Sequence, residues 1–266
     1  MKGRPLGQNS IKYGDNFEND YGPYTVICRD NKKVTVRFLN TGTIVDCHLQ
    51  VVILNQVRDY MKPMVHGVGF MGEKTVSGNT DKNKKKAKMI WDGFITRCYD
   101  PEHYKKRPTY IGCYVSPEWH NFSNFHKWFC QQVDADLYKS GYELDKDLLI
   151  RGNREYGPDT CVFIPSELNS MLSIHKNYGT NSYLPGVFFD TSRNKYRAEC
   201  NRMGLSPYIG RYDSELEAFL AYKSIKEDYV RSKAKEFVGI LPNSVIEALS
   251  DYSLDYVLIE YEKMAK

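Results

Sequence analysis

LPGVFFD (184–190), KYRAECNR (195–202), LSPYIGRYD (205–213) and SELEAFLAYKSIKEDYVRSKAKEF (214–237) decide how the carboxyl-terminal half is read. The first three segments have the length and apolar–polar alternation of strands. The fourth is a long amphipathic pattern that opens on a capping box, with Ser214 at the N-cap and Glu217 three residues on. Its apolar positions Leu216, Phe219, Leu220, Tyr222 and Ile225 suit packing on one face of a sheet. The stretch therefore predicts three strands backed by one helix. Arg193, Lys195, Arg197, Arg202 and Arg211 fall on those strands or their turns, and Lys195 and Arg197 share a face because side chains alternate with period two.

Upstream, YELDKDLLIRGNREYGPDTCVFIPSELNSML (142–172) reads as strand (142–149), loop, strand (160–164) and helix. Gly152-Asn153 and Gly157-Pro158 mark the loops, and Pro165-Ser166-Glu167 starts a helix carrying Leu168, Met171 and Leu172. Further back, Met89, Ile90, Trp91, Phe94, Ile95 and Cys98 have helical spacing, and VSPEWHNFSNFHKWFCQQV reads as a second helix with Pro117 at its first position. Trp119, Phe122, Phe125 and Phe129 fall on one face of it and are read as core; DPEHYKKRPTYIG between the two helices is read as a loop.

The amino-terminal TVICRD, KKVTVRFLN and TIVDCHLQVVIL read as short strands separated by tight turns, which predicts a small β-barrel-like module or a half-open sheet. GEKTVSGNTDKNKKKAK (72–88) is linker-like. Its lysines, among them Lys84, Lys85 and Lys86, form either a solvated hinge or a basic strap for a nucleic-acid backbone. The expected organisation is α+β and multidomain: a β module over 1–72, a basic linker over 73–88, a ββα domain over 89–178, a sheet-and-helix domain over 179–238 and a helical segment over 239–266.

Composition limits the classes. A 41% apolar and 26% charged chain is not disordered throughout. No apolar run reaches the about 18–20 residues of a membrane helix, and MKGRPLGQNS has no signal-peptide core. A soluble cytoplasmic protein is expected, with no membrane partner. Seven cysteines without a CxxC pair argue against a disulfide framework and a structural zinc. Gly67-Val68-Gly69 lacks the Lys-Ser/Thr of a phosphate loop. His48, His66, Tyr252 and Tyr256 are read as packing or surface residues.

Gly186-Val187-Phe188-Phe189-Asp190, Asn194-Lys195-Tyr196-Arg197-Ala198, Ile209-Gly210-Arg211-Tyr212-Asp213, Glu217-Ala218 and Ala221-Tyr222 together resemble the AP2 DNA-binding domain. The resemblance implies a three-stranded sheet lying in the major groove of double-stranded DNA. Trp91 with Arg97-Cys98-Tyr99, Val115 with Trp119, Phe122 and Phe125, and Leu144-Asp145-Lys146-Asp147 with Tyr156, Pro158 and Cys161 resemble phage-type HNH homing endonucleases. Val36-Arg37-Phe38-Leu39, Thr41-Gly42 and Gly67-Val68-Gly69 look like an amino-terminal module of similar phage proteins. A phage origin would place the protein in the host cell cytoplasm, with a host protein as a further partner.

The HNH resemblance implies Mg²⁺ or another divalent cation, a base His, an orienting Asn and a ligand on the helix. Mapped residue by residue, Asp145 takes the first ligand position and Asn169 the last, while Lys146 stands for the base and Thr160 for the orienting Asn. Two of the four positions depart from the pattern. A lysine of ordinary pKa, about 10.4, stays protonated beside Asp145 and Asp147 and cannot accept a proton. Two readings stay open. In one, Asp145, Asp147 and Asn169 hold the metal as hard oxygen ligands, and another group, such as His175 or a metal-bound hydroxide, replaces the base. In the other, the unit is nuclease-derived, grips DNA without cutting, and serves regulation or host interaction.

Overall fold

Alternation in the amino-terminal sequence folds into antiparallel hairpins. In the computed structural model, which describes residues 11–73, 82–174, 184–201 and 206–264, β1 (Asn16–Asn19), β2 (Gly22–Asp30), β3 (Lys33–Phe38) and β4 (Ile44–His48) pair in chain order. Val34, Val36 and Phe38 of β3 point inward with Tyr24, Val26 and Ile11, while Lys33 and Arg37 point outward. The sheet is open, so the barrel-like expectation gives way to the half-open alternative. The extended pattern was also expected to run through LQVVI, which instead forms helix α1 (Leu49–Ile53). The His48 ring, at the N-cap, accepts the Gln50 N–H through Nδ1 at 3.3 Å and ends the strand there.

The chain divides into two compact units between Phe129 and Cys130. That boundary falls inside the stretch 89–178 that the sequence grouped together. The first unit continues with α2 (Lys82–Tyr99), α3 (Pro101–Lys106), the two-residue strand β5 (Tyr114–Val115), α4 (Pro117–His120) and the first part of α5 (Phe122–Asp134), within which the boundary falls. Three local readings change here. The lysine run expected in a linker begins a helix, since α2 starts at Lys82. The expected loop after it holds α3, because Asp100 accepts the Glu102 N–H at 3.0 Å and Pro101 suits the first turn. The aromatic helix is split at Asn121, whose carboxamide oxygen accepts the Ser123 N–H at 2.9 Å while its flanking backbone bonds to Phe70. The aromatic stripe is core: Trp119, Phe122, Phe125 and Phe129 are buried with Trp91 and Phe94. Trp91 Nε1 donates to the Trp119 carbonyl at 2.7 Å.

In the second unit, β6 (Tyr142–Asp145), the two-residue strand β7 (Glu155–Tyr156), β8 (Val162–Pro165) and α6 (Ser166–Leu172) follow one another, with β6 and β8 antiparallel. This is the expected ββα order, with a shorter first strand. Then β9 (Val187–Asp190), β10 (Lys195–Glu199) and β11 (Tyr208–Tyr212) form an antiparallel sheet in the order β11-β10-β9. Helix α7 (Glu215–Ala234) packs on it. Its capping box forms as read: Ser214 Oγ accepts the Glu217 N–H and Glu217 Oε2 accepts the Ser214 N–H, both at 3.2 Å. Phe219 and Tyr222 face the core, together with Ala218, Val230 and Ala234, but Leu216 and Leu220 are exposed, so the buried face is turned from the expected one. Helices α8 (Asn243–Ser250) and α9 (Asp255–Met264) complete a core that includes Leu148, Ile164, Leu168, Val187, Ala198, Val245 and Tyr252. The class is α+β, with nine α-helices and several small open sheets among the described residues.

Candidate nucleic-acid interface

Register decides what the three-stranded sheet displays. Ala198 lies opposite Val187 and Gly210, and Tyr196 opposite Phe189 and Tyr212, on the side that packs against α7. Lys195 and Arg197 consequently face the other way, as the period of two predicts. Arg197 sits directly opposite Arg211 on β11 and Phe188 on β9, and Lys195 opposite Asp190. Two arginines are therefore direct cross-strand neighbours on the outer face. Like charges in that relation destabilise a sheet unless neighbours offset them.

Acids on the same face do so. Arg211 Nε lies 3.2 Å from Asp190 Oδ2, Arg197 Nε lies 2.9 Å from Glu199 Oε1, Arg193 reaches Asp190 at 3.6 Å, and Lys195 pairs with Asp213. Aromatic rings hold the guanidinium planes: Arg197 lies 5.5 Å from the Phe188 ring centre and Arg211 5.4 Å from that of Tyr208, whose hydroxyl Arg211 also reaches at 3.2 Å. The Ser192 hydroxyl and then Arg211 hold the Asp190 carboxyl down at about 2. The four basic side chains remain 32–62% exposed, so the pairs orient them without burying them. Four cations meet three acids on this face and its turn, which leaves it mildly positive.

The ββα loop is organised differently from the metal-centred expectation. Asp145 Oδ1 accepts the N–H groups of Asp147 at 2.9 Å and Leu148 at 2.6 Å, which turns the chain and ends β6. Burial, and then the Asp147 charge, push the Asp145 carboxyl above its usual range. Lys146 is buried; its ammonium lies 2.7 and 2.8 Å from the two Asp147 oxygens and donates to the Asn153 carbonyl at 2.9 Å. Thr160 is buried too, with its hydroxyl donating to the Glu155 carbonyl at 2.9 Å. Asn169 points elsewhere: its Nδ2 donates to Glu143 Oε2 at 2.6 Å.

These donors do not fit a divalent cation as they stand. The Lys146 ammonium already occupies both oxygens of Asp147, Asp145 Oδ1 carries two backbone bonds, and Asn169 is committed to Glu143. No group of three or more His, Cys, Asp or Glu side chains converges as a metal site among the described residues. The structure thus brings Asp145, Lys146, Asp147 and Thr160 to one loop, but not Asn169. Lys84, Lys85 and Lys86 lie on α2 of the first unit. Arg202 and His175 lie outside the described residues.

Sequence reasoning missed Asn153, the hub of that loop. Its Nδ2 donates to the carbonyls of Lys146 at 2.8 Å and Glu155 at 2.7 Å, and its Oδ1 accepts the Glu155 N–H at 3.1 Å. The Gly152-Asn153 pair signals a loop and does not reveal which groups the amide bridges. Asp190 and Glu199 were missed because a strand pattern shows which residues share a face only once the register is known. Comparison with protein-family models, curated proteins and solved structures gives no match. Among the described residues no helix is long and apolar enough to cross a membrane.

Proposed function

We propose that this chain is a nuclease-derived protein that binds double-stranded DNA through the outer face of the β9–β11 sheet and does not cut it. The observation that carries the reading is the direct cross-strand pairing of Arg197 with Arg211 on an accessible face. Their juxtaposition is unfavourable in isolation and becomes favourable when an anionic or acceptor-rich surface meets it. A guanidinium beside an aromatic ring can donate two parallel hydrogen bonds to a guanine edge, worth about 1–3 kcal/mol of discrimination. Asp190 and Glu199 keep the groups pointed outward in the free protein. On binding they yield those contacts to the nucleic acid, which lowers affinity for a bare phosphate backbone more than for a matched base edge.

The ββα loop supports the non-cutting form of the reading. General-base catalysis needs a group that accepts a proton, whereas Lys146 is held as a donor by Asp147 and Asn153. Its ammonium already supplies the positive charge that Asp147 needs.

Fluorescence anisotropy with labelled mixed-sequence duplex tests the proposal, run beside plasmid nicking with Mg²⁺ and Mn²⁺. Saturable binding that weakens with salt, without nicking, is the expected result. Arg197→Ala should weaken a selected site more than random duplex. Absence of binding at low salt would overturn the DNA reading, and nicking abolished by Asp145→Ala would overturn the non-cutting part.

A further inference from the structure

A cleft of about 390 Å³ opens in the second unit between α6, α7 and the Gly186 end of the sheet. That is within the range of small-ligand sites. Its walls are largely apolar, from Met171, Phe188, Pro207, Tyr222 and Tyr229, and one of its lining residues is Lys226. Lys226 is only 4% exposed. Its ammonium can donate three hydrogen bonds, and among the described residues it makes one, to the Met171 carbonyl at the end of α6. No carboxylate of the described residues forms an ion pair with it. The lysine one turn earlier shows the contrast: Lys223 pairs with both Glu227 and Asp255 at 2.9 Å.

Neither acid lining the cleft forms an ion pair with Lys226. Glu199 pairs with Arg197 at 2.9 Å, and Glu167 is exposed at the cleft's edge. Lys226 is therefore a buried ammonium without an ion-pair partner among the described residues. Buried charges are ordinarily paired. Burial correspondingly lowers the proton affinity of Lys226, with the Cys200 thiol as the opposing influence.

We propose that this cleft is a binding site for a small aromatic carboxylate, whose carboxylate pairs with the Lys226 ammonium and whose ring lies against Phe188, Tyr222 and Tyr229. The monoanion supplies the missing countercharge. The ring matches the apolar walls, and the Glu199 and Glu167 carboxylates disfavour polyanions. The cleft borders the proposed DNA face through Phe188 and Glu199, but its ligand chemistry does not depend on the DNA reading.

Calorimetry and saturation-transfer NMR on the full chain test it, with phenylacetate and its neutral isostere phenylacetamide as probes. Phenylacetate should bind saturably and about tenfold or more tighter than the amide, the effect of one charge-assisted bond in a dry site. Lys226→Met keeps the apolar stem and should erase that preference. Ser170→Phe narrows the cleft from an exposed position on α6 and should weaken both probes, which keeps the test valid if the first variant misfolds. Equal binding of acid and amide, a preference that survives Lys226→Met, or no saturable binding of phenylacetate would each overturn the proposal.

Discussion

Replacing Asn153 probes the loop that stands where a metal centre was expected. The side chain makes three hydrogen bonds, two donated to the carbonyls of Lys146 and Glu155 and one accepted from the Glu155 N–H. At about 0.5–1.5 kcal/mol each, Asn153→Ala should destabilise this loop by about 2–4 kcal/mol. The Thr160 hydroxyl also serves the Glu155 carbonyl, which favours the lower end. Asn153→Asp is nearly isosteric but removes both donors and sets a carboxylate oxygen against two carbonyl oxygens 2.7–2.8 Å away. It should therefore be worse than the alanine variant at neutral pH. Hydrogen exchange followed by mass spectrometry on peptides spanning residues 142–165 reads the loop directly. The expected acceleration for Asn153→Ala is about 30- to 1000-fold, at about 1.4 kcal/mol per decade. Exchange within about threefold of the parent, or an aspartate variant milder than the alanine one, would refute the bridging role.

Other outcomes follow from the same contacts. Gly186 has φ of +73°, and an added Cβ would lie 2.2 Å from the Tyr222 ring, so Gly186→Ala should destabilise the second unit by about 3 kcal/mol or more, read by thermal denaturation. Asp190 is held at about 2, below its usual value, so its contribution is complete above pH about 4 and is lost as pH falls through about 2. Carboxyl NMR should place its midpoint near 2, and Asp190→Asn should flatten the acid limb of the stability curve. With Lys146 filling the place of a cation, EDTA or millimolar Mg²⁺ should leave exchange in residues 142–165 unchanged; protection by Mg²⁺ would show a metal site after all.

The sheet-and-helix architecture of residues 184–237 was legible because each strand is bounded by turn residues and α7 opens on a capping box, both local signals. The ββα order was legible for the same reason, as was the aromatic core of Trp119, Phe122, Phe125 and Phe129. Helix ends were less so, since they hinge on single side chains. His48 caps α1 inside an apparently extended run, Asp100 caps α3 inside an apparent loop, and Asn121 breaks one periodic pattern into two helices. The lysine run read as a linker because it is polar, yet lysine is a good helix former and α2 extends back to Lys82. At the site, the basic residues were visible in sequence, but their partners were not. Asp190 and Glu199 meet Arg211 and Arg197 only through register, and Lys226 becomes notable only once its burial without a paired acid among the described residues can be seen.

The sheet face itself is tested most directly by the affinity of duplex DNA across a salt series for the parent chain and for the double variant Arg197→Ala/Arg211→Ala. The account predicts a linear fall of log affinity with log salt for the parent. The double variant should lose about 30-fold or more on a preferred site, from two contacts of at least about 1 kcal/mol each. An affinity and salt slope unchanged by removing both guanidinium groups would contradict it.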